Sequence, residues 1–219
     1  MNIRILKTFE KEIAMSVITI SRQFGAGGKT LGRRIADTLG YYYADEDIID
    51  RAAVEIYVSS DGRKIIESEP VDKLRKFISK LNPFGTSLME LPLSDKERYI
   101  DGFKYVELLN LIIPKIAKDG NAVIVGRGGQ YILHDFENIY HIFLIAKEED
   151  KIKFIEDNYR VSSTRAIQMI KRMNKRRINL YSFFGKKDYA DPKLYDLVLN
   201  MSLLSIDKAE ELVFKLING

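Results

Sequence analysis

The run SVITIS, Ser16 to Ser21, is short and β-branched, and the apolar positions after it, Leu31, Ile35 and Leu39, recur at helical spacing until Gly40. A glycine-rich stretch separates the two, so the pattern predicts strand, loop and helix. YYYAD reads as a second strand ending in acids, and Ile48, Ile49, Ala52, Ala53 and Ile56 form the apolar stripe of a second helix. From about Ser59 to Asp101 the pattern breaks. Gly62, Pro70, Pro83, Gly85 and Pro92 punctuate short amphipathic pieces such as VDKLRKFISKL, as expected of an insertion or flap. An amphipathic helix from about Phe103 to Lys118 leads into NAVIVG, apolar enough for a strand buried on both faces, and NIYHIFLIA is another such strand. Helices are predicted at about Glu148 to Tyr159 and about Ser163 to Asn179, followed by a last strand in YDLVLNMS and a last helix in SIDKAEELVFKLI.

Strands that alternate with helices through the whole length predict an α/β fold, with a parallel sheet covered by helices on both faces. Five strand segments give a five-stranded sheet in a three-layer α/β/α arrangement, with ligands expected at the carboxyl ends of the strands. At 219 residues the chain suits one domain over 15–219, interrupted by the insertion at about 59–101. Met15 immediately precedes the first strand, so residues 1–14 read as an optional extension or an upstream start with no assigned function.

Composition narrows the chemistry. Lysine and arginine outnumber the acids 35 to 31, which suits anionic ligands but falls far short of a polynucleotide-binding surface. There is no cysteine and there are two histidines, His134 and His141, so thiolate zinc sites are excluded and any metal is expected on oxygen. No apolar run reaches the roughly 18 residues that span a bilayer, and the start MNIRILKTFEKEIA carries acids where a signal peptide is apolar. The expectation is a cytoplasmic protein with small anionic ligands and no membrane or polynucleotide partner.

The strongest chemical signal is SRQFGAGGKT, which follows the first strand and opens the first helix. A triphosphate needs several backbone N–H donors and a cation within reach. Gly25, Gly27 and Gly28, with Ala26 among them, let the backbone wrap a phosphate without a Cβ clash, and the helix amino terminus adds partial positive charge. Lys29 would reach the β and γ phosphates of ATP, and the Thr30 hydroxyl is placed for Mg²⁺. The order matches GxxxxGK[ST] except that the first glycine falls on Gln23, making this a degenerate P-loop. The competing reading is a glycine-rich turn that binds nothing.

Four segments, VITISRQFGAGGKTLG, YYYADEDIIDRAA, NAVIVGRGG and the stretch from KRMNKRRIN to LVLNMSLLSID, together resemble the cytidylate-kinase-like branch of the nucleoside monophosphate kinases, and they span nearly all the chain from Met15. By that resemblance Asp45 and Arg51, six residues apart, match the acid and arginine that follow the second strand. Arg51 would hold the acceptor phosphate, and Asp45 would orient Mg²⁺ through water or hydrogen-bond the acceptor. The alternative for Asp45 is a helix cap. GRGG at 126–129 resembles the family's glycine, arginine, aspartate segment, so Arg127 would contact the monophosphate while Gly128 stands in place of the acid. An internal salt bridge is the other role open to Arg127.

The basic run resembles the family's lid, about 163–190 here, with Arg172, Arg176 and Arg177 as the cations that close over the phosphates, and by the same resemblance the insertion at about 59–101 would bind the acceptor. A solvated helix face is its alternative. Asn174 stands where ordinary members carry an aspartate, and joins Asp45, Arg51, Arg127 and Arg177 as an acceptor-side position. Lys29, Arg127, Arg172 and Arg177 are then the candidate catalytic residues. The resemblance implies an ATP- and Mg²⁺-dependent phosphotransferase that converts CMP or dCMP to the diphosphate. Two alternatives are a P-loop kinase for another small metabolite and a nucleotide-binding regulatory module without transfer. Tyr181, Phe183 and Phe184 are read as apolar anchors of the lid helix rather than a base platform.

Overall fold

Four consecutive β-branched residues, Val17 to Ile20, let Val17–Arg22 (VITISR) form strand β1, all six residues of which are buried. This is a computed structural model, and it describes residues 15–58, 102–118, 120–186 and 188–219. The readings of 1–14 as an extension and of 59–101 as an acceptor-binding insertion lie outside the described residues.

β1 passes through a tight turn into helix α1 (Gly28–Leu39), which ends where Gly40 takes a left-handed conformation and its N–H bonds Ala36 O. Strand β2 (Tyr42–Asp45) runs straight into helix α2 (Glu46–Val58). Helix α3 (Gly102–Ala117), strand β3 (Ala122–Val125) and a short helix α4 (Gly129–Ile132) follow. Strand β4 (Ile139–Ile145) leads to helix α5 (Glu148–Tyr159) and the long helix α6 (Ser163–Phe183). A 3₁₀ turn at Pro192–Leu194, strand β5 (Leu197–Asn200) and helix α7 (Ile206–Asn218) complete the chain.

The sheet has five strands in the order β2-β3-β1-β4-β5, and every pairing is parallel. Alternate side chains of the central strands feed two separate cores. Val17, Ala44, Ala122 and Ile124 pack against Ile49 and Ala53 of α2 and Leu109, Ile112 and Ile113 of α3. Ile18, Ile20, Val123, Val125, Ile142 and Leu144 pack on the other face against Leu31 and Ile35 of α1 and Ala209 and Val213 of α7. Both faces are apolar because helices cover both, so these strands read as continuous apolar runs rather than alternating ones.

The expected α/β architecture is the one observed, and boundaries differ by about a turn. α6 extends beyond Asn179 because Tyr181 is buried edge-on against Tyr131, 5.4 Å between centroids, while Phe183 meets Phe103 edge-on at 5.1 Å. Helix α4 has no counterpart in the sequence pattern: four residues are too few to show a period. β1 leaves toward β2 while its neighbour β4 leaves toward β5, so their carboxyl ends form the switch point of the sheet, and the glycine-rich turn lies there. No helix among the described residues is long and apolar enough to cross a membrane.

Candidate active site

The turn from β1 to α1 is held open by two left-handed glycines, Gly25 at φ +90° and Gly27 at φ +78°. A Cβ at Gly25 would stand 3.0 Å from the Lys151 backbone oxygen, so the α5 side of the fold demands glycine there. Gln23 does not intrude where the P-loop pattern has glycine. Its Oε1 accepts from the Ala146 N–H at 3.2 Å and from Lys151 Nζ at 3.4 Å, bracing the loop against the end of β4 and the first turn of α5. Ala26 is buried under the loop, whereas Gly25, Gly27, Gly28, Lys29 and Thr30 line a cleft of about 730 Å³. The opposite wall is α5 and α6, from which Arg165 and Arg172 face the cleft.

Lys29 Nζ lies over the β2–α2 junction. It pairs with Asp47, and stands 3.6 Å from Asp45 Oδ2 and 3.7 Å from Glu46 Oε1. Burial opposes its charge, but Glu46, Asp45 and Asp47 outweigh that and raise the ammonium above its ordinary value. Asp45 itself is the amino-terminal cap of α2: Oδ1 accepts the N–H groups of Asp47 and Ile48, each at 3.1 Å. The carboxylates that face the cleft are Glu46 and Asp47.

Beside this cleft is a much smaller cavity of about 40 Å³, walled by charge pairs. Arg22, 7% exposed at the end of β1, pairs with Glu46. Arg127 forks onto Asp50, Nε to Oδ1 at 2.6 Å and Nη2 to Oδ2, and Tyr105 of α3 donates its hydroxyl to the same carboxylate. Arg127 holds φ +58° between two left-handed glycines, Gly126 and Gly128, and this backbone turn aims it at α2. Burial works against the Glu46 carboxylate, yet Arg22, Arg127 and Lys29 together hold it well below the usual range, so it stays ionised. Burial likewise opposes the Arg127 charge, and Asp50, Tyr105 and Glu46 raise it well above its ordinary value.

Helix α6 closes the cavity. Met173, Arg176, Arg177 and Leu180 fall on one stripe by the three-and-four spacing and line it, while Arg165, Met169 and Arg172 continue that stripe over the wide cleft. The basic run therefore turns part of its charge inward. Arg177 Nη1 lies 3.4 Å from Asn174 Oδ1, its guanidinium 5.7 Å from the Tyr189 ring centroid.

Of the residues singled out from sequence, the fold gathers Gly25, Gly27, Gly28, Lys29, Thr30 and Arg172 around the wide cleft, and Arg127, Arg176 and Arg177 around the narrow cavity. Arg51 is half-buried on α2 and lines neither. Gly128 holds φ +77° and a Cβ there would meet the Phe184 ring at 3.0 Å, so a side chain at this position would need a strained backbone and a shift of that ring. Sequence reading missed Arg22, Glu46, Asp47, Asp50, Tyr105 and Arg165. The available signals were an arginine closing a buried strand and the i, i+3 and i, i+4 spacing of acids in EDIID. Among the described residues no group of three acidic or histidine side chains is arranged to hold a metal ion by itself.

The model of the cytidylate kinase-like family matches residues 17–203. Among solved structures, an uncharacterized protein from Eubacterium ventriosum is similar at a TM-score of 0.63 and 20% identity, covering 93% of this chain and 99% of that one. Shikimate kinase from Bacteroides thetaiotaomicron is similar at a TM-score of 0.49 and 14% identity, covering 94% and 100%. No curated protein matches the chain in sequence. A strand, P-loop and helix followed by two arginine-rich walls, with a family match over most of the length, place the chain in the cytidylate kinase-like family, as a kinase-type phosphotransferase.

Proposed function

We propose that the chain transfers the terminal phosphoryl group of ATP to CMP or dCMP. The observation that carries this reading is the adjacency of two sites of different build. A glycine-lined cleft bearing Lys29 and Thr30 suits a triphosphate, and a small cavity with Arg22, Arg127, Arg176 and Arg177 suits a single phosphate. Lys29 would leave its three acids for the β and γ phosphates, and Arg172 would close on them from α6. Thr30, with Asp45 or Asp47 acting through water, would hold Mg²⁺, which supplies neutralising charge to the phosphates. Arg127, Arg177 and Asn174 would receive the acceptor, whose phosphate oxygen attacks without needing a strong base. Residues 15–219 would act as one kinase domain with α6 as its lid, excluding water on closure.

The test is ADP release from purified protein with ATP and Mg²⁺, comparing CMP, dCMP, UMP, AMP, GMP and no acceptor. Stimulation by CMP or dCMP is expected, and no stimulation by any of the five would sink the reading. A second reading, transfer to another small phosphate-bearing metabolite, is favoured by one feature: position 128, where the resemblance places an acid, is a left-handed glycine set against the Phe184 ring.

A further inference from the structure

Three residues, Arg22, Glu46 and Asp47, line both the wide cleft and the narrow cavity, and so form the partition between them. In-line transfer brings the reacting atoms to roughly 3–3.5 Å, so a phosphoryl group moving from one site to the other crosses this partition. Two of the three are carboxylates, which repel it. The third is a cation.

Arg22 sits where an arginine is costly, at the end of a strand with both faces covered. Its stem lies under the P-loop, where a Cβ at Gly28 would stand 2.7 Å from Arg22 Cγ. Its tip reaches the turn before Arg127, where a Cβ at Gly126 would overlap Nη1. Two glycines therefore clear the path of one guanidinium from the donor cradle to the acceptor arginines. Stability does not account for this, because replacing a buried ion pair by apolar side chains of similar volume is often neutral or better.

We propose that Arg22 is the transfer-site cation, held on Glu46 in the free protein and drawn onto the phosphoryl group in flight. This rests on the phosphotransferase reading of the same cleft. In the step, the bond from the γ phosphorus to the bridging oxygen breaks, its electron pair leaving on ADP, as the bond from the acceptor oxygen forms. The charge spread over the three equatorial oxygens is what Arg22 meets from the partition, with Lys29 on the donor side and Arg127 on the acceptor side. The Arg127 charge remains to keep that carboxylate ionised when Arg22 turns away.

The experiment compares wild type with Arg22→Met, the double variant Arg22→Met with Glu46→Gln, and Arg22→Lys. Wild-type turnover is established first with the acceptor that supports it. For each protein kcat, both KM values and Tm are measured. Calorimetry adds the affinity for ADP alone and for ADP with Mg²⁺, aluminium fluoride and acceptor, a planar mimic of the group in transit. The double variant, which leaves no unpaired buried charge, is expected to melt within a few degrees of wild type. Its kcat should fall by about 100-fold or more, the effect of removing one transition-state donor. Its KM values should stay within about threefold, its ADP affinity should be unchanged, and its affinity for the fluoride complex should fall at least tenfold on the same ground. Arg22→Met alone should lose the same factor in kcat. Should neither methionine variant fold, Arg22→Lys carries the test, with kcat lowered about tenfold at unchanged KM because an ammonium lacks the planar fork. A kcat within threefold of wild type in the folded variants, or fluoride-complex affinity that is not weakened, overturns the inference alone. Wild type without acceptor-dependent turnover overturns the phosphotransferase reading and this inference with it.

Discussion

The two cavities of this protein are neighbours built in opposite ways. The wide cleft is made largely of backbone and of side chains open to it: glycines without Cβ atoms, the amino end of α1, and α6 residues reaching across. The narrow cavity is made of buried ion pairs drawn from β1, α2, the turn after β3 and, as its roof, α6. The first would hold an anion by fixed N–H groups and a helix end, so removing one side chain there is expected to cost function and little stability. The second stores positive charge against Glu46 and Asp50, so removing one member leaves its partner buried and unpaired. Function and stability are separable in one cavity and joined in the other.

Lys29→Met attacks the wide cleft. Acceptor-dependent ADP formation should fall roughly a thousandfold, the scale of one phosphoryl-stabilising cation. Because the Lys29 side chain is 40% exposed, thermal unfolding should move little, by about 1 kcal/mol at most. Turnover near wild type would remove Lys29 from the site, and a collapsed Tm would erase the contrast between the cavities.

Arg127→Met strikes the narrow cavity, leaving the Asp50 carboxylate without its fork, and is expected to cost roughly 3–5 kcal/mol of stability. Adding Asp50→Asn should recover a large share of that loss in denaturant unfolding while activity stays low. Additive losses from the two changes would show that the pair is not coupled.

Acid sharpens the same distinction. The folded Glu46 carboxyl titrates below its ordinary value of 4.5, so on acidification the unfolded chain takes up the proton first. The stability that Glu46 contributes is therefore present above pH 4.5 and lost as pH falls below it, toward the folded value. Denaturant midpoints collected between neutral pH and pH 3 should drop in this window, and Glu46→Gln should flatten the drop whatever its effect at neutral pH. An unchanged slope in that variant would show that Glu46 is not held ionised by its arginines.

The smallest effect is expected at Gln23→Ala, which removes the brace from the P-loop to Ala146 and Lys151. About 1 kcal/mol of stability should go, as for a typical side-chain hydrogen bond, with ATP affinity lowered severalfold through a looser loop. A loss of turnover as large as that of Lys29→Met would mean that Gln23 meets the nucleotide directly.

What could be read from the chain alone was whatever is local. The five strands, the helices around them other than the four-residue α4, and the glycine-rich turn are each written in consecutive residues, because strand and helix periods and the crowding at Cβ act within a few positions. The basic run of α6 was legible as charge, and the aromatic residues after it as an anchor. Which of its arginines face inward was decided by Tyr181 and Phe184 packing on Tyr131. Asp45 was legible as an acid at a strand end, but only the fold shows it capping α2 and leaving Glu46 and Asp47 to face the cleft. The pairs that wall the narrow cavity join residues 24 and 77 positions apart, Arg22 with Glu46 and Arg127 with Asp50. No short-range pattern encodes such pairs. They form because a parallel sheet brings the carboxyl ends of β1, β2 and β3 side by side, and burial there forces each charge to find an opposite one.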